Sequence, residues 1–220
     1  MNEQEAREYW RSMTHEEKLF FVVANGNAAS FAYGRLQMHR WAAQAQMARI
    51  GQVIAGSKST IPEPGHGATQ QEMRGYMRDG TRRMQPVFAD VHLYFVSWAG
   101  CRNMLQILVG QPEFLEAKKV FDSYRKEFEH YVAGRNSFEH FHERLPGQAE
   151  AHRVKEIQPD PRAGPHRVFA GFSGGKYVHS NLEWDISPAS LERLEKYISE
   201  ISSVVHAKID EEFIRKGMAA

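Results

Sequence analysis

The feature that most constrains this fold is a run of apolar residues at helical spacing between residues 87 and 108. Its members recur at steps of four and three: Val87, Val91, Tyr94, Trp98, Cys101, Leu105 and Leu108. Such a seam lies along one face of an α-helix and needs an apolar partner. The spacing therefore predicts a long helix that ends near Gly110 and packs against another helix.

A second helix is predicted from a capping signal. Thr14-His15-Glu16-Glu17 has the form of a capping box, in which a threonine and a glutamate three residues later cap each other's backbone amides. The helix that it opens is expected to run to about Ile50. Gly26 and Gly34 lie inside this segment, and each glycine costs about 1 kcal/mol relative to alanine. A break or a close helix contact is therefore expected at these positions.

Two further helices are expected nearer the C-terminus. Pro112 suits the first turn of a helix, and apolar residues follow it at steps of three and four until Pro146-Gly147 ends the pattern. Ser187-Pro188 is another helix start. The seam of that last helix consists of Leu191, Leu194, Ile198, Ile201, Val205, Ile209 and Phe213.

Two segments differ from these helices. Residues 51–80 are rich in Gly, Ser and Pro and predict a long connection, with a short helix near Gln70–Arg78. Alternating apolar residues on both sides of Ser173-Gly174-Gly175 predict a β-hairpin near 167–186. The chain is thus expected to be an all-α single domain over 1–220, an antiparallel bundle of about four long helices with the hairpin inserted before the last one.

The composition excludes several classes of protein. Net charge is +1, from 28 basic and 27 acidic residues, so there is no basic excess of the kind that marks many nucleic-acid-binding proteins. No apolar run approaches the roughly 18 residues of a membrane-spanning helix, and the polar start Met1–Glu5 is unlike a secretory signal. Cys101 is the one cysteine, which rules out a disulfide framework and fits a reducing compartment. A cytoplasmic protein without a membrane partner is expected.

Polar residues interrupt the apolar stripe of the helix that Pro112 opens. Arg135 and His142 are seven residues apart and share one helix face, whereas Asn136 and His140 are four apart on a neighbouring face. The planar guanidinium of arginine can bind phosphate through two parallel hydrogen bonds, and histidine can transfer protons near neutral pH. Arg135, Asn136, His140 and His142 are therefore the candidate catalytic residues, for chemistry on a phosphodiester.

The same segment carries a resemblance to a known family. Arg135 to His140 has the form Arg-Asn-x-x-x-His late in a long helix, which resembles the HEPN superfamily of all-helical bundles. The resemblance covers about residues 15–145 and 188–215 in outline and only the motif in detail. It implies a homodimer in which both motifs line one cleft and cut RNA without a metal ion or other cofactor. An inhibitory protein partner, as in a toxin or defence system, is also implied.

The resemblance implies a role for each motif residue. Arg135 would hold the scissile phosphate, and His140 would assist attack of the 2′-hydroxyl group. Asn136 would orient the histidine or the phosphate, and the product would end in a 2′,3′-cyclic phosphate. A looser pattern, an arginine and a histidine with four to six residues between them, occurs three times. The matches run from Arg125 to His130, from Arg135 to His140 and from Arg135 to His142.

Two alternatives belong to other functional classes. The first is a non-catalytic relative that serves as a binding or dimerisation module, in which Arg135 pairs with a carboxylate such as Glu139. The second is a metal-binding bundle enzyme, because Glu127 and His130 form the Glu-x-x-His unit of di-iron proteins. Such sites need two of these units and two further carboxylates, all facing inward. His140 and His142 diverge by about 200° on a helix, which disfavours a shared metal ion.

Overall fold

The computed structural model describes residues 3–56, 63–139, 170–173, 175–179 and 182–216. These residues contain α1 (Glu3–Ser12), α2 (His15–Val22), α3 (Gly26–Gly56), α4 (Gln70–Val109), α5 (Leu115–Glu139) and α6 (Pro188–Arg215). A 3-10 turn, Pro112–Phe114, precedes α5, and β1 (Ala170–Ser173), β2 (Lys176–His179) and β3 (Leu182–Asp185) precede α6. The described part is thus mostly helical with a small antiparallel sheet, as the sequence predicts.

The chain divides into two compact units. Unit 1 consists of residues 1–41, 97–133 and 192–220, and unit 2 consists of residues 42–96 and 134–191. Helices α3, α4, α5 and α6 each contribute residues to both units.

The N-terminal helices follow their capping signal. Thr14 and Glu17 form the predicted capping box at the start of α2. The expected break falls before Gly26, where α3 begins, and a Cβ atom at Gly26 would lie 2.6 Å from backbone atoms of Phe20. At Gly34 a Cβ atom would lie 2.8 Å from the Glu16 carboxylate. Both glycines therefore mark close contacts, as expected.

Helix α4 confirms its apolar seam and shortens the expected connection. All seven seam residues from Val87 to Leu108 are fully buried, and the helix ends at Val109. Burial also raises the pKa of the Cys101 thiol. The connection expected over residues 51–80 starts later, because α3 continues to Gly56, and the short helix expected near Gln70–Arg78 is the beginning of α4. Thr69 and Glu72 cap that start reciprocally, so this helix start was readable in the sequence.

The later helices begin where proline predicts. Pro112 occupies the first turn before α5, and Pro188 is the first residue of α6. In the α6 seam, Leu194, Ile198, Ile201, Val205, Ile209 and Phe213 are buried. The described part of α5 ends at Glu139, so the expected stop at Pro146-Gly147 lies outside the described residues. No described helix combines the length and apolar character needed to cross a membrane.

The predicted hairpin is part of a three-stranded antiparallel sheet in the order β1-β2-β3. Ser173 pairs with Lys176 across the glycine turn, where Gly175 has a φ of +79°. The segment after the glycine turn, expected as the second arm of the hairpin, contains two strands, β2 and β3, with His179 paired to Leu182. The buried residues of β2 are Tyr177 and His179.

Candidate functional site

The last described turn of α5 packs through three small or aromatic residues. Gly134 and Ser137 are three residues apart and both buried, with Phe138 beside them. A Cβ atom at Gly134 would lie 2.9 Å from the ring of Phe95 and 3.0 Å from Trp184 Nε1. Glycine is therefore required here, because the helix backbone lies directly against these two rings.

Ser137 connects this turn of α5 to the sheet by a hydrogen bond. Its Oγ lies 2.5 Å from Nδ1 of His179 in β2, a hydrogen bond whose donor depends on the imidazole tautomer. Ser137 is 1% exposed and His179 0% exposed. A serine and a histidine at this distance could form a nucleophilic pair, but a substrate cannot reach a pair that is fully buried. The hydrogen bond therefore holds the helix end and the sheet together.

Phe138 inserts into an aromatic cluster in unit 2. Its ring stacks on Tyr177, with centroids 4.6 Å apart, and on His92 at 5.4 Å. Neighbouring ring centroids in the cluster lie 4.6–6.5 Å apart, within the range of favourable aromatic pairs. The members are Phe88, Phe95, Phe138, Phe172, Tyr177 and Trp184. This packing fixes the inner face of the turn.

The outer face of the same turn carries Arg135, Asn136 and Glu139. Arg135 Nη2 donates a hydrogen bond of 2.9 Å to Asn136 Oδ1. Arg135 Nε and Glu139 Oε1 form an ion pair at 3.3 Å, one helical turn apart. The Arg135 side chain is 31% exposed and that of Glu139 is 41% exposed. The guanidinium is thus oriented by its own helix, with Nε buried and the side chain as a whole about one third exposed.

This arrangement can recognise an anion. A guanidinium has five N–H donors, of which the hydrogen bond to Asn136 uses one on Nη2, while Nε is buried beside Glu139. The remaining donors can face a phosphate in the bidentate geometry that arginine favours. Glu139 opposes such binding by repulsion, so an incoming phosphate competes with this carboxylate for Arg135.

The candidate catalytic residues fall into two groups. Arg135 and Asn136 lie together on the outer face of the α5 turn. His140 and His142 lie outside the described residues. The expected apolar face is shifted by one position, because Gly134 and Ser137 occupy the buried side and Arg135 lies at its edge. The expectation that Arg135 interrupts the buried seam was therefore wrong, since a glycine and a serine continue it.

The glutamate of the Glu-x-x-His unit, on which the metal alternative depends, is bound by other side chains of the protein. Glu127 accepts hydrogen bonds from Arg193 Nε, at 2.7 Å, and from the Tyr197 hydroxyl. Burial and this carboxylate raise the pKa of Tyr197 to about 12. A carboxylate neutralised by an arginine is a poor metal ligand. No cluster of three or more His, Cys, Asp or Glu side chains suited to a metal ion occurs among the described residues.

A second group of polar residues, in unit 1, has no sequence signature. The rings of His15 and His206 stack at 3.9 Å with an interplanar angle of 3°. Tyr33 Oη lies 2.8 Å from His206 Nε2, and Asp210 contacts both Lys18 at 2.8 Å and His15 at 3.4 Å. Burial, and then the nearby His15, lower the pKa of His206. These residues come from three helices, so only the tertiary fold brings them together.

Comparison with known proteins leaves the family open. No protein-family model, curated protein or solved structure gives a significant match to this chain. Function must therefore be argued from the site.

Proposed function

We propose that this chain is a HEPN-like endoribonuclease that cuts RNA without a metal ion. The observation that carries the proposal is the Arg135–Asn136 pair, hydrogen-bonded and solvent-accessible on a helix turn whose inner face is fixed. Arg135 would bind the scissile phosphate, and Asn136 would hold the guanidinium in place. His140 and His142 are the proposed proton-transfer groups of the same motif.

The proposed reaction is an internal transesterification. One histidine accepts the proton of the ribose 2′-hydroxyl, whose oxygen attacks the adjacent phosphorus. The new P–O2′ bond forms as the P–O5′ bond breaks, and the leaving 5′-oxygen takes up a proton. The products are a 2′,3′-cyclic phosphate and a 5′-hydroxyl end. Arg135 stabilises the negative charge that develops on the phosphate oxygens.

The architecture and partners belong to the same proposal. The four long helices α3 to α6 would form an antiparallel bundle, and two protomers would place their motifs in one cleft. An inhibitory protein partner would accompany such an enzyme in a toxin or defence system. A cytoplasmic location belongs to the same proposal, because RNA is present there and a chain with one free cysteine fits a reducing compartment.

RNA cleavage in the presence of EDTA tests the proposal. Wild type should cut single-stranded RNA and leave 2′,3′-cyclic phosphate ends, whereas Arg135→Ala and His140→Ala should lose most of this activity. Testing His142→Ala separately shows which histidine transfers the proton. Arg125→Ala and His130→Ala are matched controls, because these exposed residues of α5 have the looser arginine–histidine spacing without the asparagine.

One observation favours the second candidate, a non-catalytic binding module. Glu139 already pairs with Arg135, as expected if the arginine stabilises its own helix. Glu139→Gln separates the two proposals. If Arg135 binds phosphate, this variant should cleave RNA faster, because a competing charge is removed. Intact RNA with wild type, or equal cleavage by Arg135→Ala and Arg125→Ala, would reject the nuclease and leave the binding module.

A further inference from the structure

The first turns of helix α4 carry three arginines on their solvent side. Arg74, Arg78 and Arg82 are exposed and four residues apart, so they lie along one face of the helix, about 6 Å from one another along its axis. We call these three residues the arginine row. None of residues 70–86 is buried, whereas the apolar seam of α4 starts at Val87. The row is therefore on a part of α4 that contributes no residue to the buried core.

The arginine row differs from the other lysines and arginines of unit 2 because its charges are not paired. The described residues of this unit contain seven lysines and arginines, and four of the seven form ion pairs. The pairs are Arg49 with Asp90, Arg83 with Asp79, Arg135 with Glu139 and Lys176 with Glu183. The three members of the row have no ion-pair partner among the described residues. The unpaired lysine and arginine charge of the described part of unit 2 is therefore concentrated on one helix face.

This arrangement opposes the stability of the helix. Like charges four residues apart repel each other and destabilise a helix, and Arg78 has such a neighbour on both sides. The acid nearest to the row in sequence is Asp79, three residues before Arg82, but it pairs with Arg83 at 2.9 Å. Glu72 is engaged in capping the start of the helix. Its own helix therefore does not neutralise the row, and an anion from outside would stabilise it.

The residues around the arginine row are polar. Those on the same face of the helix are uncharged and exposed, namely Gln70, Gln71, Thr81 and Gln85. A protein interface has an apolar centre inside its polar rim, and this face offers none. The row therefore suits a partner that is bound mainly through its charge.

The remaining sides of these turns disfavour a membrane surface. Helices that lie in a membrane interface insert a face of Trp, Phe or Leu residues opposite their basic face. The side opposite the row carries Tyr76, Gly80 and Arg83, which are partly buried. The exposed large apolar residues of these turns are Met73 and Met77, beside the row. Two methionines do not form such a face, but methionine sulfur makes favourable contacts with aromatic rings, which include nucleobases.

We propose that the arginine row binds the phosphate backbone of a single nucleic-acid strand. Each guanidinium can form two parallel hydrogen bonds with a phosphate, and consecutive phosphates of a strand can follow arginines that repeat at each helical turn. Such contacts are independent of sequence, because they involve no base edge. Met73 and Met77 are placed to contact the bases. This surface is separate from the Arg135 motif, and binding to it does not depend on ribonuclease activity.

Fluorescence anisotropy with a labelled oligothymidine tests the arginine row, because this strand has no 2′-hydroxyl groups and cannot be cut by the proposed reaction. Wild type should bind it, with an affinity that falls as salt is added. Each neutralised phosphate of a single strand contributes about −0.7 to the slope of log affinity against log salt concentration. Arg74→Gln/Arg78→Gln/Arg82→Gln should therefore make the slope less negative by about 2 and weaken binding about ten-fold or more.

Two further variants serve as controls. Lys118→Gln/Arg125→Gln/Lys126→Gln removes the same charge from exposed positions of α5, and it should keep nearly the wild-type affinity and slope. Lysine at all three positions of the row should also keep the slope, because counterion release depends on charge, but with weaker binding, because bidentate contacts are lost. The glutamine variant of the row should melt no lower than wild type, since repulsion between its arginines is removed.

The outcomes separate this surface from the proposed ribonuclease. A wild type that binds neither oligothymidine nor single-stranded RNA at low salt overturns the proposal, even if anionic vesicles bind the row. Equal loss of affinity in the glutamine variant of the row and in the α5 control does the same, because the loss would then follow net charge alone. A wild type that binds through the row but cuts no RNA rejects the ribonuclease and keeps this surface. Cleavage by wild type together with an unchanged salt slope in the glutamine variant rejects this surface alone.

Discussion

Two imidazole–hydroxyl pairs in this protein have the same chemistry and different surroundings. In unit 2, His179 pairs with Ser137 at 2.5 Å, and both residues are fully buried. In unit 1, His206 pairs with Tyr33 at 2.8 Å, and both are partly exposed. His206 also stacks on His15, whose imidazole contacts Asp210.

The difference shows how burial decides what a histidine does. A buried imidazole loses free energy if its hydrogen bond is not made, so the Ser137–His179 pair fixes the position of β2 against the α5 turn. A half-exposed imidazole can exchange its partner for water. The Tyr33–His206 pair is therefore expected to contribute little to stability and to remain responsive to pH.

The largest expected effect comes from deleting each imidazole in turn. His179→Ala should lower the free energy of unfolding by about 3 kcal/mol or more, because it leaves a cavity and removes the buried hydrogen bond to Ser137. His206→Ala should lower it by about 1 kcal/mol, since water can fill the site. Urea denaturation of both variants measures the difference. Equal losses would mean that burial does not distinguish the two pairs.

A smaller effect is expected from filling the close contact beside the buried pair. Gly134→Ala should destabilise by about 1–2 kcal/mol, because the clash with Phe95 and Trp184 outweighs the better helix propensity of alanine. Gly51→Ala is the matched control, since nothing lies within 4 Å of a Cβ atom there. That variant should gain about 0.5–1 kcal/mol. Stabilisation by both substitutions would contradict the close packing of the α5 turn.

The smallest effect is the pH response of the half-exposed pair. The pKa of His206 is below its ordinary value, so the unfolded chain binds more protons than the folded one below about pH 6.5. The stability is therefore complete above that pH and falls as the pH drops toward the folded pKa. Solvent screening limits the loss to a few tenths of a kcal/mol. His206→Gln should flatten the stability curve between pH 7 and pH 5, and an unchanged curve would contradict this.

At still lower pH, Asp210 should add to the loss. Burial opposes its ionisation, but hydrogen bonds from Lys18 and His15 outweigh burial and lower its pKa. The stability that this carboxylate contributes is present above its unfolded pKa and is lost as the pH falls through the folded value. The loss of stability caused by His206 can thus be measured separately, at a pH above the range in which Asp210 titrates.

Much of the helical fold was predictable because its signals are local. The seam from Val87 to Leu108 needs only the helical period, and all its members are buried. The short helix expected near Gln70–Arg78 is the start of α4, which Thr69 and Glu72 cap, but its continuity with the seam was missed. The glycines that suggested a connection lie inside helices, as Gly75 and Gly80 do in α4, and helix packing overrides their low propensity.

The site was less predictable because its signals are tertiary. A search for apolar spacing does not identify Gly134, although a Cβ atom there would lie only 2.9 Å from the Phe95 ring. The expected inner face was therefore one position away, at Arg135. The role of His179 depends on the register of β2 against its neighbouring strands, which sets the side of the sheet that the imidazole faces. Neither feature is visible in residue spacing.

The proposed ribonuclease depends on the α5 turn, fixed from within by Ser137, presenting Arg135 to a phosphodiester. Binding of a fluorescent single-stranded RNA with 2′-deoxy substitutions tests this most directly, because such a strand cannot be cut by its own 2′-oxygen. Arg135→Ala should weaken binding roughly ten-fold or more, as loss of a charge-assisted contact predicts, while Arg125→Ala should leave the affinity nearly unchanged. Equal affinities for wild type and Arg135→Ala, or no binding by wild type, would contradict this role of Arg135.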